Sequence, residues 1–242
     1  MEPSIPFFKA GEGMQSIVPR FQPIVDVLAN CNIGFEATIR GVHGEPAQDL
    51  FQRALKQGQV TELDREARVV AIEEGMPILE PNQKLFLNIA PQSLAEAVHW
   101  LPEDAPVERI VLEITEQLPL EKFKTVQKRI QALRQQGLEW ALDDFGMGFS
   151  NLDSLTKLPL SYVKLDKQFT TDVVNKKTAN AIKHYCWMFQ DMGIRLIVEG
   201  VETEEQKQRL LELGVRFMQG YRFGFPKLAN EFVRRISLGP LP

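Results

Sequence analysis

Apolar positions along this chain follow two alternating periods. Runs at 17–25, 33–39, 84–89, 109–114, 140–142, 160–165, 194–198 and 215–218 are apolar or alternate every second residue, which predicts strands. Stretches 48–57, 62–76, 92–98, 120–136, 177–192, 202–213 and 230–236 space their apolar residues three and four apart, which predicts amphipathic helices. Gly137, Gly193 and Gly214 stand where three of those helices should stop. Strand and helix in alternation imply a parallel sheet covered on both faces. About eight strands in 242 residues favour closure, so the expected class is α/β, a single (β/α)8 TIM-like barrel. Residues 26–32 leave no room for a crossover helix between the first two strands, so the first strand should run antiparallel. The expected division is an N-terminal extension over 1–16, the barrel over 17–236 and a tail over 237–242.

Most predicted strands carry, at or near the end, a polar residue that an apolar core would not want. These are Glu36 in GFEATIR, Asn88 in FLNI, Glu113 in VLEITE, Asp143 and Asp144 in ALDDFG, Lys164 and Asp166 in VKLD, Glu199 in IVEG and Gln219 in FMQGY. The C-terminal ends of barrel strands meet at one face, where barrel active sites lie. Residues distant in sequence should therefore converge. Alternation puts Tyr162, Lys164 and Asp166 on one face, Val111 with Glu113, and Ile197 with Glu199. Buried carboxylates are costly unless paired or metal-bound, so this many in one mouth call for cations. The donor set is oxygen alone, since His43, His99 and His184 lie away from the strand ends. Such a set suits Mg²⁺ or Mn²⁺ rather than zinc. Two adjacent Asp residues can help hold two ions ~3.5–4 Å apart, the spacing of in-line phosphoryl displacement.

Each of these residues also has a structural reading. A lone acid at a strand end is commonly a cap or a surface ion pair. Asp143-Asp144 could serve a turn before Gly146 and Gly148, Gln219-Gly220 could end a strand, and Arg40 could be a surface charge. Lys164 resists that reading, because an unpaired lysine is rarely buried. The histidines are read as structural and the phenylalanines as core.

Charge and composition narrow the classes further. A net charge of -4 supplies no broad basic surface, so no nucleic-acid polymer is expected as a partner. The two cysteines, Cys31 and Cys186, sit in no CxxC and read as reduced thiols. No apolar run approaches the ~18 residues of a membrane span, and the first residues have neither the basic start nor the apolar block of a signal peptide. A soluble, cytoplasmic protein is expected. Neither GxGxxG nor GxxxxGK[ST] occurs, so nothing points to a dinucleotide or P-loop site.

Eight segments, in order, resemble the EAL-domain cyclic di-GMP phosphodiesterase family: RFQPIVD (20–26), FEATIR (35–40), LFLNIAPQSL (85–94), LEITE (112–116), LDDFGMGFSNL (142–152), YVKLDKQF (162–169), VEGVET (198–203) and MQGYRFGFP (218–226). The resemblance implies a barrel with an antiparallel first strand that cuts cyclic di-GMP to linear pGpG. It implies two ions, Mg²⁺ or Mn²⁺, with Ca²⁺ inhibitory. One ion would be held by Glu36, Asn88, Glu113 and Asp143; the second by Asp143, Asp144 and Glu199, with Asp143 shared. Lys164 would orient and help acidify the attacking water, Asp166 would support Lys164 and the metal-bound water, and Glu199 would also act as general base. Gln22, Arg40 and Gln219 would contact the substrate. Glu116 would brace the loop 145–152, which the family couples to a homodimer interface, here expected through the loop and helix region near 145–160.

The chain departs from the family signature at one position. Glu-Ala-Leu is here Glu36-Ala37-Thr38. Thr keeps the strand but loses apolar area worth about 1 kcal/mol, an effect on affinity rather than on the ions. The segment between Arg40 and Leu63 also looks shorter than in many relatives, which bears on base recognition. A rival within the family is a non-catalytic member that acts as a cyclic di-GMP receptor or protein-binding regulator; such members usually lack metal ligands or have a broken DDFG loop, and both are intact here. A different metal-dependent barrel hydrolase is a second rival. No GGDEF-type run supports a cyclase.

Overall fold

The structure, a computed structural model, describes residues 17–94, 106–115, 120–147 and 152–233. It opens with a hairpin of strands β1 (Ile17–Asp26) and β2 (Cys31–Gly41), paired antiparallel as the short linker predicts. The turn is fixed by Asp26, whose Oδ1 accepts from the amides of Leu28 (3.1 Å) and Ala29 (3.0 Å). Asn30 takes the left-handed conformation (φ 52°), which Asn tolerates better than most side chains.

Strands β3 (Lys84–Asn88), β4 (Ile110–Thr115), β5 (Glu139–Phe145), β6 (Tyr162–Leu165), β7 (Arg195–Val198) and β8 (Phe217–Gln219) follow, each parallel to its predecessor from β2 onward. The eighth strand returns antiparallel to β1 and closes the barrel. Around it lie α1 (Ala47–Gln57), α2 (Val60–Gly75), α3 (Leu120–Gln135), α4 (Leu152–Lys157), α5 (Lys167–Thr171), α6 (Lys176–Asp191), α7 (Glu204–Glu212) and α8 (Ala229–Val233). Their ends carry recognisable signals. Gly58 closes α1 in the left-handed region (φ 69°), donating to the carbonyls of Ala54 and Leu55. Thr203 and Gln206 form a reciprocal capping box on α7.

Strand alternation sorts the core into two shells. Outward-facing residues such as Phe35, Leu85, Leu87, Leu112, Leu142, Val163 and Val198 join the large cluster that contains the buried helix residues. Ile24, Phe86, Val111, Ala141, Tyr162 and Ile197 form a separate cluster, one layer of the barrel interior. Phe86 and Tyr162 meet there edge to face with centroids 5.1 Å apart. This layer is the floor of the site.

Several boundaries differ from expectation. Strand β2 extends two residues beyond the expected 33–39 at each end, because the hairpin with β1 continues the pairing from Asp26–Cys31 to Ile17–Gly41. The short helices α4 and α5 have no counterpart among the expected elements; five or six residues carry too little periodicity to register. The helix expected over 92–98 and the end of that expected over 230–236 lie largely outside the described residues, as does His99.

Candidate active site

The second layer of the barrel interior is polar, and period-two alternation dictates which residues form it. Two positions past each floor residue come Asn88 after Phe86, Glu113 after Val111, Asp143 after Ala141, Lys164 after Tyr162 and Glu199 after Ile197. On β8, Gln219 stands two past Phe217. On β1 the count reverses: Gln22 stands two before Ile24, because that strand runs the other way. Register confirms the level, with Gln22 opposite Glu36 and Asn88 opposite Glu113.

Lys164 occupies the centre and is 1% exposed. Its Nζ lies 2.7 Å from Glu199 Oε1, 3.0 Å from Glu113 Oε1, and 3.2 Å from both Glu36 Oε2 and Asp143 Oδ1. An ammonium has three protons, so it cannot satisfy four carboxylates at once. Glu113 Oε1 and Asp143 Oδ1 are in fact buried without a well-aligned hydrogen bond despite their nearness to Nζ. Amides complete the ring. Asn88 Nδ2 donates to Glu36 Oε1 (3.2 Å) and Glu113 Oε2 (3.3 Å), and Gln219 Nε2 donates to Glu36 Oε2 (2.6 Å) and Gln22 Oε1 (3.2 Å).

Neighbouring residues of a regular strand point to opposite faces, so Asp143 and Asp144 should not share a site. A register shift between Leu142 and Phe145 along β6 breaks the alternation. Asp144 takes the left-handed conformation (φ 56°), strained for most residues but tolerated by Asp. Carboxylate oxygens of Asp143, Asp144 and Glu199 thereby lie within 4.8 Å of one another.

The electrostatics follow from burial and crowding. Burial opposes the charge on Lys164, but attraction from Asp143, Glu113, Glu199 and Glu36 outweighs it and holds the ammonium well above the ordinary lysine range. Burial pushes Glu113 well above the carboxylate range and raises Asp143, against the pull of Lys164. Burial, then repulsion from Asp143, lifts Asp144 to about 6, and burial lifts Glu199 to about 8. Glu36 goes the other way: burial opposes its charge, but Lys164 and the hydrogen bond from Gln219 prevail. Five carboxylates share one ammonium, so four of them favour their protonated forms unless further cations are supplied. Orphaned buried oxygens, an all-oxygen donor set and a three-carboxylate cluster fit divalent cations of the Mg²⁺ or Mn²⁺ type.

The site opens into a cleft of about 370 Å³ lined by Gln22, Glu36, Thr38, Arg40, Asp143, Asp144, Lys164 and Gln219 among others. Gln22 is oriented by donating Nε2 to the Gly224 carbonyl (3.0 Å), and Arg40 by donating to the Ile39 carbonyl (2.8 Å). Among the described residues no hydrogen bond or ion pair joins Asp166 to Lys164, although the Asp166 charge acts on Asp144. Asp166 caps α5 instead, Oδ1 accepting from the Gln168 amide (2.8 Å), because the chain leaves the strand at Leu165. Glu116 lies outside the described residues. Sequence reasoning missed Tyr221, which lines the cleft and stacks on Phe225 with centroids 4.4 Å apart. Phe225 corrects the expectation that the phenylalanines are core: it is 58% exposed. The run MQGYRFGFP carried the only signal, three aromatics (Tyr221, Phe223 and Phe225) within five residues after a strand end. His43 and His184 stand on the exposed surface, away from the cleft.

A family model described as EAL domain matches residues 13–226. The chain belongs to the EAL domain family. This EAL domain is 33% identical over 192 residues to the cyclic di-GMP phosphodiesterase RocR of Pseudomonas aeruginosa, covering 76% of the chain and 46% of that protein. It is 33% identical over 232 residues to the probable cyclic di-GMP phosphodiesterase PdeN of Escherichia coli, covering 88% of the chain and 44% of PdeN. The chain thus spans less than half the length of these curated relatives. Among solved structures, the EAL domain superposes on the Klebsiella pneumoniae BlrP1 manganese/cy-diGMP complex at pH 6 with TM-score 0.82 and 27% identity, covering 91% of the chain and 58% of BlrP1. Those likenesses establish the EAL barrel. No helix among the described residues is long and apolar enough to cross a membrane.

Proposed function

We propose that this EAL domain hydrolyses cyclic di-GMP to linear pGpG with two divalent ions. The observation that carries the reading is the crowd of Glu36, Glu113, Asp143, Asp144 and Glu199 around one buried ammonium. Glu36, Asn88, Glu113 and Asp143 would hold one ion; Asp143, Asp144 and Glu199 the other. When bound, such ions neutralise charge on the phosphoryl oxygens and make water a stronger acid.

The chain's own groups do the rest. Gln22, Arg40 and Gln219 line the cleft and bind the dinucleotide, Arg40 offering its charge to a phosphate. Burial lifts Glu199 to about 8, which makes it a stronger base than a free carboxylate; once ionised, it would take a proton from water. Lys164, at 2.7 Å, fixes that carboxylate in place and keeps its own proton. Water's oxygen would bond to phosphorus as one phosphorus–ribose oxygen bond of the ring breaks, and the leaving ribose oxygen would take up a proton, balancing the one removed from water. The relatives named as cyclic di-GMP phosphodiesterases support the substrate, and the manganese complex of BlrP1 supports the kind of ion. A homodimer through the region near 145–160 and a cytoplasmic setting belong to the same proposal; light scattering tests the former.

The test is incubation of the purified chain with cyclic di-GMP and Mg²⁺, Mn²⁺ or Ca²⁺, with pGpG followed by chromatography. Turnover is expected with Mg²⁺ or Mn²⁺ and inhibition by Ca²⁺, whose looser shell suits in-line attack poorly. Binding without cleavage at every Mg²⁺ and Mn²⁺ level would assign the chain to a receptor role instead.

A further inference from the structure

Outside the ring of candidate ligands, one buried ionic pair is not needed by any step above. Asp64 and Arg68 sit one helical turn apart on α2, each 2% exposed, with Asp64 Oδ2 against Arg68 Nη1. Their neighbours on the buried face of α2 are Leu63, Ala71, Ile72 and Gly75. Buried ion pairs are often no more stabilising than apolar residues of the same size, so this one calls for a use beyond packing.

The use is visible at the other carboxylate oxygen. Asp64 Oδ1 accepts from the backbone amide of Ala90 at 2.9 Å. Ala90 lies two residues beyond Asn88, where β3 has ended and no further strand pairing holds the chain. The amide between them, Ile89 N, donates to the Glu113 carbonyl (3.0 Å). The backbone that leaves Asn88 is thus fastened on one side to the strand of Glu113 and on the other to α2 through Asp64. Asn88 in turn bridges Glu36 and Glu113 with its amide nitrogen. Arg68 supplies the counter-charge that a buried carboxylate requires, and an ionised acceptor makes the stronger hydrogen bond to an amide.

We infer that Asp64 is a positioning residue for the metal centre: through the Ala90 amide it sets the exit of β3 and so the placement of the Asn88 side chain between Glu36 and Glu113. The inference rests on the two-ion reading above. Outer partners that orient a ligand typically change metal affinity by about 10–100-fold when lost. Charge and acceptor are separated by working in an Arg68→Met background. Asp64→Asn/Arg68→Met removes both charges and keeps an acceptor for Ala90, whereas Asp64→Leu/Arg68→Met removes the acceptor as well.

The measurement is Mn²⁺ affinity by calorimetry on the purified chain without substrate, with melting temperature taken in EDTA for each protein. The Asn pair should bind Mn²⁺ within about twofold of the parent, and the Leu pair about tenfold or more weakly. That contrast should persist when the two pairs melt at similar temperatures, which a merely structural role would not produce. Should the Leu pair fail to fold, Asp64→Ser/Arg68→Met takes its place, its hydroxyl being too short to reach the amide. Equal affinities of the two pairs, whether both parental or both weakened, overturn the inference. A parent that takes up no Mn²⁺ overturns the two-ion reading, and this inference with it; a parent that binds while the pairs stay equal overturns this inference alone.

Discussion

Replacing Lys164 by Met removes the one cation that four carboxylates share. In EDTA near pH 8, Glu36, Glu113, Asp143 and Glu199 would then face one another inside the barrel with amides alone for company. Breaking a buried pair by deleting one partner costs about 3–5 kcal/mol. For a chain of this size each kcal/mol moves the melting temperature about 2–4 °C, so the expected drop is about 6–20 °C. The pH dependence has a definite sign. Burial already raises Glu113, and Glu199 to about 8; losing Lys164 raises both further. A raised acid is folded without penalty below its unfolded pKa, and the penalty grows as pH climbs toward the folded value. The deficit of Lys164→Met should therefore be smaller near pH 5 than near pH 8. Mg²⁺ at a hundred times its Kd contributes about 2.7 kcal/mol, enough to restore about 5–10 °C. Scanning calorimetry at both pH values, with and without Mg²⁺, reads all three effects. A variant melting within about 2 °C of the parent in EDTA near pH 8 would refute the claim that the ammonium holds the cluster together.

Asp143→Asn keeps the shape of a side chain shared by both proposed ions and removes its charge; turnover should fall on the order of a thousandfold, about 4 kcal/mol of transition-state stabilisation, with near-parental far-UV circular dichroism. Thr38→Leu should lower KM for cyclic di-GMP about fivefold and change kcat little, since the Thr38 hydroxyl is buried without a hydrogen-bond partner beside the cleft; a thousandfold rise in kcat would contradict the area argument. Mn²⁺ should bind more tightly as pH rises toward 8, because the carboxyl of Glu199, held at about 8 by burial, must lose its proton to act as a ligand; calorimetry in two buffers of different ionisation enthalpy should show proton release, and an affinity flat from pH 6 to 8 would count against it.

Period and chain length make the barrel legible in the sequence alone. Residues 26–32 are too few for a helix, which dictates the antiparallel first strand, and β1 does pair antiparallel with both β2 and β8. The same period exposes Lys164, since a lysine two residues past Tyr162 must share its inward face. What alternation cannot disclose are contacts made across the fold. The Asp64 bond to Ala90 spans 26 positions and links a helix to a loop, and Asp64 stands among helix residues with nothing in its spacing to mark it. Asp166 marks the limit of that reading, since it caps α5 while its charge still acts on Asp144. Its spacing from Lys164 suggests a shared face, but alternation holds only while the chain remains a strand, and β6 ends at Leu165.

Asp144 shows why strand periodicity is weakest where a site is built. A regular β5 would send one of two adjacent Asp carboxylates into the barrel and the other into the helix layer, where an ionised group would be costly. The bulge reverses that choice: a left-handed residue at 144 turns the second carboxylate back to the mouth beside Asp143 and Glu199. Backbone strain of about 1–3 kcal/mol is the usual cost of such a residue, and burial, then repulsion from Asp143, adds a separate cost to its charge by lifting Asp144 to about 6. Packing gives no return on either expense, because Asp144 lines the open cleft rather than the core. A bound dication offsets both, since it is attracted to the charge that the bulge concentrates. The strained position is thus explained by the ion it would hold, and Asp144→Gly, which relieves the backbone while deleting the ligand, should raise the melting temperature in EDTA and shrink the Mg²⁺-induced rise. A Gly variant that melts lower in EDTA than the parent would show instead that the Asp144 side chain supports the fold on its own.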